Sequence, residues 1–487
     1  MPFDSKFDQS SSSKTPSSAK ASVDRYFERI EDKSELNAYV ILMQDEARKR
    51  AEESDERLRK GSPLPLDGLP LAVKDNFCTK GTRTTAGSRI LEDFTPTYES
   101  FVTQQLLNAG AVFLGKTNMD EFGMGSSTEK SHFGPTINPN IREDGVRVVP
   151  GGSSGGTAAA VAGKLAAAGI GSDTGGSLRQ PAAFCGVVGF KPTYGLCSRW
   201  GLIAYASSLD QAGVITEKVK DAAQLTDVIA AADENDSTSL PWPKKVGFEA
   251  SLMENEAKPY KIGIPKKFRA ETISDELENL WEKSIALAKA AGHTVVEVSL
   301  PSINYSLPTY YIIALCEASS NLARFDGVRY GHRANDIKDI YELYSKTRYE
   351  GFNPEVRKRI MLGTFALSAG YYDEYFGRAM KARRVIFNEF QSAFAEVDFM
   401  MWPTAPSSAF PFGHDASDAL TMYLEDIFTV PVNLTGSPAI SIPICDGNGS
   451  LPMGIQLIGP RFSDDELLAA AQSMESAASY VRPCARA

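Results

Sequence analysis

Short apolar runs alternate with amphipathic and charged stretches along most of the chain. An apolar run of strand length, bounded by Gly, Pro or polar residues, predicts a buried β-strand. Such runs occur at 69–73, 111–114, 187–190, 260–265, 294–300, 398–402, 439–444 and 454–458. Because helical patterns separate them, we predict an α/β fold with a large mixed β-sheet covered by helices on both faces.

Amphipathic patterns between these runs predict the helices. Segment 274–291 begins with Ser274 as an N-cap, keeps Leu277 and Trp281 on one face, and stops at Gly292. Further helices are predicted within 23–60 (two helices), at 99–108, from Asp464 onward, and over most of 305–395, with a break at 352–354.

The N-terminus differs in composition from the rest of the chain. Residues 1–22 are polar and Ser-rich and lack the apolar region of a signal peptide, so we predict a disordered leader. Hydrophobic residues make up 43% of the 487 residues, enough for a sizeable core, and no linker divides the remainder. We therefore expect one domain over 23–487, in a reducing cytoplasmic compartment, with an organellar location as the alternative.

Charge and cysteine spacing argue against several classes of protein. The net charge of −10 argues against nucleic-acid binding by this chain alone, since phosphate binding needs clustered Lys and Arg. The cysteines form no C-x-x-C pair, so we predict neither a disulfide framework nor a metal site. No long apolar run free of charge occurs, so no membrane span is expected. The six cysteines are Cys78, Cys185, Cys197, Cys316, Cys445 and Cys484.

Residues 110–117 match the phosphate-loop pattern G-x-x-x-x-G-K-[ST]. A phosphate loop follows a strand and opens a helix, whereas here the four variable residues, 111–114, form an apolar strand themselves. We therefore interpret the match as coincidental and predict no nucleotide site in this segment.

The stretch 150–181 carries the most distinctive chemistry in the sequence. Ser153 and Ser177 each lie among glycines, 24 residues apart, and 157–171 between them holds Lys164 as its only charge. That composition predicts a buried helix. Glycines beside a serine let backbone N–H groups turn toward a small acceptor. A helix flanked by two such loops brings both serines into one pocket, an arrangement suited to acyl transfer.

Two other interpretations of this region stay open at the sequence level. Ser153 and Ser154 could cap a helix, and residues 175–176 could form an ordinary turn. Residues 151–155 also match the nucleophile-elbow pattern G-x-S-x-G, with 146–149 as the preceding strand. That pattern needs a histidine base and leaves the second serine unexplained. The four histidines are His132, His293, His332 and His414.

A lysine offers a different base. Serine is a weak nucleophile until a base takes its proton. Lys74 follows the apolar strand 69–73, and burial would depress a lysine pKa from its usual value of about 10.4, leaving a neutral amine. A second serine hydroxyl, which both donates and accepts, could bridge amine and nucleophile. Two serines and one lysine then form a relay that needs no histidine.

At this point the residues resemble the amidase signature family, over essentially the whole chain after the leader. Three motifs carry the resemblance: 66–75 (LDGLPLAVKD), 151–162 (GGSSGGTAAAVA) and 171–186 (GSDTGGSLRQPAAFCG). The resemblance implies a Ser–cis-Ser–Lys triad with Lys74 as the base, Ser153 as the cis-serine relay and Ser177 as the nucleophile. It also implies an oxyanion hole formed by the backbone N–H groups of Thr174, Gly175, Gly176 and Ser177.

Segments 115–129, 317–331 and 359–376 resemble one branch of this family, the A subunits of aspartyl/glutamyl-tRNA amidotransferases. Members of this branch hydrolyse glutamine and pass the ammonia to a B subunit. The resemblance implies that glutamine is recognised by Tyr310, Arg359 and Asp426. Arg359 suits the α-carboxylate and Asp426 suits the α-ammonium group of a free amino acid.

The same resemblance implies B and C subunits as partners. The ammonia would convert Glu-tRNA(Gln), Asp-tRNA(Asn) or both, with the misacylated tRNA bound mainly through the B subunit. We expect no cofactor in this chain, ATP and Mg²⁺ being expected on the partner subunit, and no membrane partner. The alternative is a stand-alone amidase acting on another amide. Two departures from the family are the Ser-rich leader in place of its usual first helix and a longer segment at 140–149.

Overall fold

One mixed β-sheet organises the chain. The computed structural model describes residues 18–244, 247–255, 258–270, 274–413, 419–444 and 450–478. Within these ranges eleven strands form a single sheet in the order β1-β3-β2-β4-β6-β5-β10-β11-β9-β7-β8. The strands are β1 (Tyr39–Leu42), β2 (Pro70–Lys74), β3 (Val112–Thr117), β4 (Ala168–Asp173), β5 (Val188–Lys191), β6 (Gln211–Thr216), β7 (Lys261–Pro265), β8 (Thr294–Val298), β9 (Phe399–Pro403), β10 (Ala439–Ile444) and β11 (Met453–Ile458).

Parallel and antiparallel pairs both occur in the sheet, as predicted. Strand β2 runs parallel to both β3 and β4, and β7 runs parallel to β8 and β9. The central strands β4, β6, β5, β10, β11 and β9 are joined antiparallel. Every residue of β2, β3, β4 and β6 is buried. Since successive side chains point to opposite faces, burial of every residue means that both faces of the sheet are covered.

Helices supply this cover. In the described residues they are α1 (Ala19–Asp32), α2 (Gln44–Arg59), α3 (Phe101–Asn108), α4 (Gly155–Ala162), α5 (Arg179–Cys185), α6 (Val219–Ile229), α7 (Phe248–Glu254), α8 (Lys266–Ala270), α9 (Asp275–Ala290), α10 (Ser306–Asn321), α11 (Ile340–Gly351), α12 (Pro354–Ala366), α13 (Arg378–Phe394), α14 (Ala419–Leu424), α15 (Val430–Thr435) and α16 (Asp464–Ala477). None of these helices is long and apolar enough to cross a membrane. The segment 305–395 contains α10 to α13, and α11 and α12 are separated at 352–353.

The first described helix begins earlier than the sequence pattern suggests. Ser18 caps α1 by accepting a hydrogen bond from the Ala21 N–H, so residues 19–22 of the predicted leader are helical. The buried face of α1 includes Ala19 and Val23, which explains why the helix starts before the leader boundary at residue 22. Residues 1–17, which hold most of the predicted leader, lie outside the described residues.

The buried helix predicted over 157–171 is wrong in its second half. Helix α4 ends at Ala162, and strand β4 begins at Ala168. Gly163 ends the helix, and Lys164 has a φ of 62°, in the left-handed region that turns the chain. A fully buried Ala- and Gly-rich run has no polar face, so its hydrophobic pattern does not distinguish a helix from a strand.

The phosphate-loop match is confirmed as coincidental. Residues 112–117 form strand β3, and Lys116 is fully buried in it. Its Nζ donates to the Phe77 carbonyl at 2.6 Å and the Thr84 hydroxyl at 2.9 Å, and lies 3.4 Å from a carboxylate oxygen of Asp75. This lysine therefore holds the segment that follows Lys74 and has no room for a phosphate.

The Lys116–Asp75 pair should make a measurable contribution to stability. Lys116→Met leaves a buried carboxylate without its cation, which costs roughly 3–5 kcal/mol, so the urea midpoint of unfolding should fall. The double variant Lys116→Met/Asp75→Asn should recover part of the loss. Lys60→Met, which removes a lysine from an exposed pair with Glu56, is the control and should leave the midpoint nearly unchanged. Equal losses for the two lysine variants would contradict this role.

Candidate active site

Lys74 lies at the centre of the candidate site. It is the last residue of β2, between two parallel neighbours, and its side chain is fully buried. The Nζ atom lies 2.8 Å from the hydroxyl oxygens of both Ser153 and Ser154, and 3.0 Å from that of Ser172. Two hydroxyls from the loop before α4 and one from strand β4 therefore surround one amine.

The surroundings of Lys74 change its acidity. Burial lowers the pKa of Lys74 to about 7, against the opposing effect of the carboxylates of Asp120, Asp173 and Asp210. An amine with a pKa near neutrality spends a large fraction of its time unprotonated. In that form it has a lone pair and accepts a proton from a neighbouring hydroxyl.

The first glycine loop presents Ser153 to this amine. The peptide bond between Gly152 and Ser153 is cis. Gly152 N–H donates to the Gln180 side chain at 2.9 Å, which ties the loop to the start of α5. Ser154 precedes α4 but makes no side-chain cap; instead its hydroxyl donates to the Ser172 carbonyl at 3.2 Å. The helix-cap interpretation is therefore wrong for Ser154.

A buried ion pair holds the second glycine loop. Asp173 accepts two hydrogen bonds of 3.0 Å from the Arg179 guanidinium, and both side chains are fully buried. Burial alone would raise the pKa of Asp173, but Arg179 outweighs it and holds the pKa at about 2. Arg179 also donates to Gln456 of β11 at 2.8 Å and to Asn433 of α15 at 2.6 Å. The loop is thus fastened to the opposite half of the sheet.

The glycines of this loop are required by close neighbours. A side chain on Gly175 would overlap the Tyr310 ring, and one on Gly176, which has a φ of 131°, would overlap Thr429. The two loops meet where the Ser154 N–H donates to the Ser177 carbonyl at 3.2 Å. The exposed fraction of Ser177 is 8%, so it keeps some access to solvent beside the fully enclosed Lys74.

Backbone donors cluster around Ser177. In the described part of the chain, the N–H groups of Thr174, Gly175 and Ser177 donate to no protein acceptor. The Gly176 N–H, in contrast, donates to the Asp173 carboxylate at 2.9 Å. This contact differs from the expectation that all four N–H groups face the pocket. Three free donors remain for an oxyanion.

The residues predicted to recognise glutamine also lie together. Arg359 of α12 is buried; its Nε donates to Glu355 at 2.8 Å and its Nη1 to the Tyr205 hydroxyl at 3.1 Å. The Arg359 guanidinium lies 5.7 Å from the centre of the Tyr311 ring, whose hydroxyl donates to Asp426 at 2.7 Å. Burial raises the pKa of Asp426 to about 6. A cation and a carboxyl group thus flank one aromatic cluster.

Tyr310 joins this cluster to the second glycine loop. Its ring lies against Gly175 and 5.1 Å from the Tyr311 ring. The structure therefore brings all the predicted site residues to one end of the sheet.

Several residues of the site were not predicted from the sequence. Ser172, Asp173 and Arg179 sit inside the quoted glycine motif, and their position beside Ser177 was an available signal. No sequence motif around Tyr205 or Tyr311 indicates a role in the site, because each contacts a residue more than a hundred positions away. Asp210 accepts from the Thr174 hydroxyl at 2.6 Å and likewise lacks a motif.

The histidine alternative finds no support in the described residues. His132 lies near Glu92, His293 pairs with Ser473 and His332 with Glu350, and none of them bonds to a serine of the site. Residues 146–149 form isolated bridges rather than a strand, so the elbow lacks its preceding strand. His414 lies outside the described residues. Among those described, no group of three or more His, Cys, Asp or Glu side chains could hold a metal ion.

This fold and site define the class of protein. The amidase family profile matches residues 21–468, and the chain belongs to the amidase family of enzymes.

Within that family the chain is similar to the A subunits of glutamyl-tRNA(Gln) amidotransferases. The one from Parvibaculum lavamentivorans is 52% identical over 456 residues, covering 93% of this chain and 92% of that protein. The one from Roseobacter denitrificans is 53% identical over 460 residues, covering 93% and 92%. The crystal structure of the Thermotoga maritima A subunit is 40% identical with a TM-score of 0.78, covering 96% and 94%. A peptide amidase from Stenotrophomonas maltophilia is 29% identical with a TM-score of 0.80, covering 96% and 95%.

The depressed pKa of Lys74 predicts a pH-dependent stability. In the unfolded chain a lysine has a pKa of about 10.4, so between about pH 7 and 10 the unfolded state binds more protons than the folded state. The free energy of unfolding should therefore rise with pH by up to roughly 1.4 kcal/mol per pH unit, relative to Lys74→Met. Urea unfolding at pH 7.5 and 9 measures this difference, with Lys381→Met as an exposed control. A difference independent of pH would show that the Lys74 pKa is not depressed.

Proposed function

We propose that this chain is the glutamine-hydrolysing A subunit of a tRNA-dependent amidotransferase. It releases ammonia for the conversion of Glu-tRNA(Gln), Asp-tRNA(Asn) or both to the amidated products. The observation that carries the proposal is the placement of Arg359 and Asp426 beside the loop that holds Ser177. The similarity to A subunits named for glutamyl-tRNA(Gln) amidotransferase, over 93% of the chain, supports it.

The hydrolysis begins with attack by Ser177. Its oxygen forms a bond to the side-chain amide carbon of glutamine, while its proton passes to Ser153 and the Ser153 proton passes to the neutral amine of Lys74. The 2.8 Å contact between Lys74 and Ser153 supports the second transfer. The negative oxygen of the tetrahedral intermediate lies toward the free N–H groups of Thr174, Gly175 and Ser177.

The protons then return along the same path. Protonated Lys74 gives a proton through Ser153 to the amide nitrogen, the carbon–nitrogen bond breaks, and ammonia leaves. The product is a glutamyl ester on Ser177. Water attacks this ester, with the same lysine and serine accepting its proton, and glutamate is released with Ser177 restored. No cofactor takes part in these steps.

Charge complementarity selects a free amino acid. The Nε atom of Arg359 donates to Glu355, and its Nη1 atom donates to the Tyr205 hydroxyl. Its Nη2 atom donates to no acceptor among the described residues. The α-carboxylate of glutamine binds at this free edge of Arg359. Asp426 accepts hydrogen bonds from the hydroxyls of Ser126 and Tyr311 and forms no ion pair with any residue that the structure describes, so it binds the α-ammonium group. Tyr310 closes the pocket against Gly175.

Partner subunits carry out the amidation of the misacylated tRNA. The B and C subunits complete the enzyme, and the misacylated tRNA, ATP and Mg²⁺ bind on the partner side, mainly to the B subunit. The net charge of −10 on this chain agrees with a polypeptide that leaves the tRNA to its partner. The proposed complex is cytoplasmic and contains no membrane component, with an organellar site as the alternative.

Substrate preference tests the proposal. Arg359→Ala should reduce kcat/KM for glutamine by roughly 10- to 150-fold, because it removes a charge-assisted contact of about 1.5–3 kcal/mol. Asp426→Asn should act in the same direction. Both substitutions should reduce kcat/KM far less for a small neutral amide, because that substrate has no α-carboxylate or α-ammonium group. The measurement is the ratio of kcat/KM for glutamine to that for the neutral amide in each variant.

Two controls separate recognition from chemistry. Lys74→Ala should damage both substrates, since it removes the base. Arg357→Ala removes an arginine two positions from Arg359 that stacks on Tyr349 and should change neither substrate. If the ratio is the same in Arg359→Ala, Asp426→Asn and Arg357→Ala, the chain does not recognise an amino acid. The stand-alone amidase would then be the better description.

A further inference from the structure

An apolar cluster projects from the outer side of helix α12 into solvent. We call it the α12 corner and define it by Met361, Leu362, Phe365, Tyr371 and Tyr375. Their exposed fractions are 65%, 43%, 47%, 44% and 40%. The Phe365 ring centre lies 4.5 Å from that of Tyr371 and 6.0 Å from that of Tyr375, so the side chains form one continuous surface.

More exposed apolar side chains lie in the same segment of the chain as this corner. Among the described residues, about half of the large hydrophobic side chains that are exposed fall in 340–385, under a tenth of the chain. Single exposed hydrophobic residues are ordinary, but a concentration of this kind marks an interaction surface. Beyond the corner itself, these residues are Ile340, Tyr341, Tyr344, Tyr349, Tyr372, Met380 and Val385.

Charge around the α12 corner indicates what covers it. Segment 340–385 holds nine Lys and Arg against five Asp and Glu, a net charge of +4, although the whole chain carries −10. A symmetric dimer through this surface would place two equally basic faces together, which disfavours a second copy of the chain. The complementary partner has an apolar groove with an acidic border.

The cations of this segment are poorly arranged for RNA. Arg378 pairs with Glu374 at 2.7 Å, Arg348 donates to two backbone carbonyls at 2.9 Å, and Arg383 donates to the Leu434 carbonyl at 2.7 Å. Arg359 is buried. Aliphatic and aromatic side chains occupy the middle of the surface. Lys381 and Arg384 are exposed and make no ion pair among the described residues, but too few such cations remain for a continuous phosphate-binding row, and a protein partner with an acidic border fits better.

We propose that the α12 corner is the docking surface for a partner subunit that presents an apolar groove bordered by Asp and Glu side chains. This rests on the proposed function, which requires B and C subunits. Helix α12 has two faces: Arg359 points inward to the glutamine pocket, and Met361, Leu362 and Phe365 point outward. A partner on the outer face thus sits directly behind the residue that binds the substrate carboxylate.

The test is assembly with the B and C subunits encoded in the same genome. The chain is co-expressed with both, and the dissociation constant of the purified components is measured by titration. Met361→Asp and Phe365→Asp should each weaken assembly by at least tenfold, because a carboxylate would be desolvated beside an acidic border. Lys381→Glu, at an exposed cation of the same segment, should weaken assembly and reduce its dependence on salt.

Met253→Asp is the matched control, since Met253 of α7 is 67% exposed and lies outside this segment. It should assemble like the unmodified chain. All variants should keep the melting temperature and the hydrolysis of a neutral amide, which shows that they fold. If the unmodified chain binds neither of the two partners, both the proposed function and the docking surface are rejected.

If the unmodified chain assembles and the corner variants assemble as tightly as Met253→Asp, the docking surface alone is rejected. Two further outcomes would also overturn it. One is a dimer of the chain alone that Met361→Asp dissociates, which would assign the surface to a second copy. The other is loss of tRNA binding by the isolated chain in Phe365→Asp, which would assign it to RNA.

Discussion

The burial of one amine among three serine hydroxyls is the constraint on which the rest of the site depends. Lys74 ends a strand in the interior of the sheet, where both faces are covered, so no water solvates its charge. Exclusion of water moves the pKa of Lys74 to about 7. In place of water, the Lys74 Nζ donates to the hydroxyl oxygens of Ser153, Ser154 and Ser172. A fold that left this strand end exposed would have an ordinary, protonated lysine.

A buried charge pair, Asp173 and Arg179, holds the second glycine loop. Asp173 and Arg179 would be costly to bury separately, but together they join β4, α5, α15 and β11. Asp173 also accepts a hydrogen bond from the Gly176 N–H. This contact fixes the conformation of the loop in which the neighbouring N–H groups stay free. The residues proposed to recognise the substrate contact this loop through Tyr310, which packs on Gly175. The proposed chemistry and the proposed recognition therefore depend on the same loop.

Local sequence patterns predicted the parts of this protein that depend on local physics. Strand β2 and its terminal Lys74 follow from an apolar run, and helix α9 follows from Ser274 and Gly292 at its ends. Strand β4 was mistaken for helix, since a buried Ala- and Gly-rich run has no polar face in either form. Tyr205 and Tyr311 were missed, because their partners are distant in the chain and their residue types are common, whereas Arg179 lies inside the glycine motif, six residues from its partner Asp173. Arg359 and Asp426 were named only through a family resemblance.

In the proposed reaction, Lys74 activates Ser177 through Ser153. The most direct measurement is peptide mass spectrometry after reaction with an electrophilic glutamine analogue whose side-chain carbonyl carbon forms a stable bond to serine. We expect a single adduct on Ser177, absent in Ser177→Ala and formed at least a hundredfold more slowly in Lys74→Ala, the scale expected for loss of a general base. An adduct on Ser153 or Ser154, or an unchanged rate in Lys74→Ala, would contradict it.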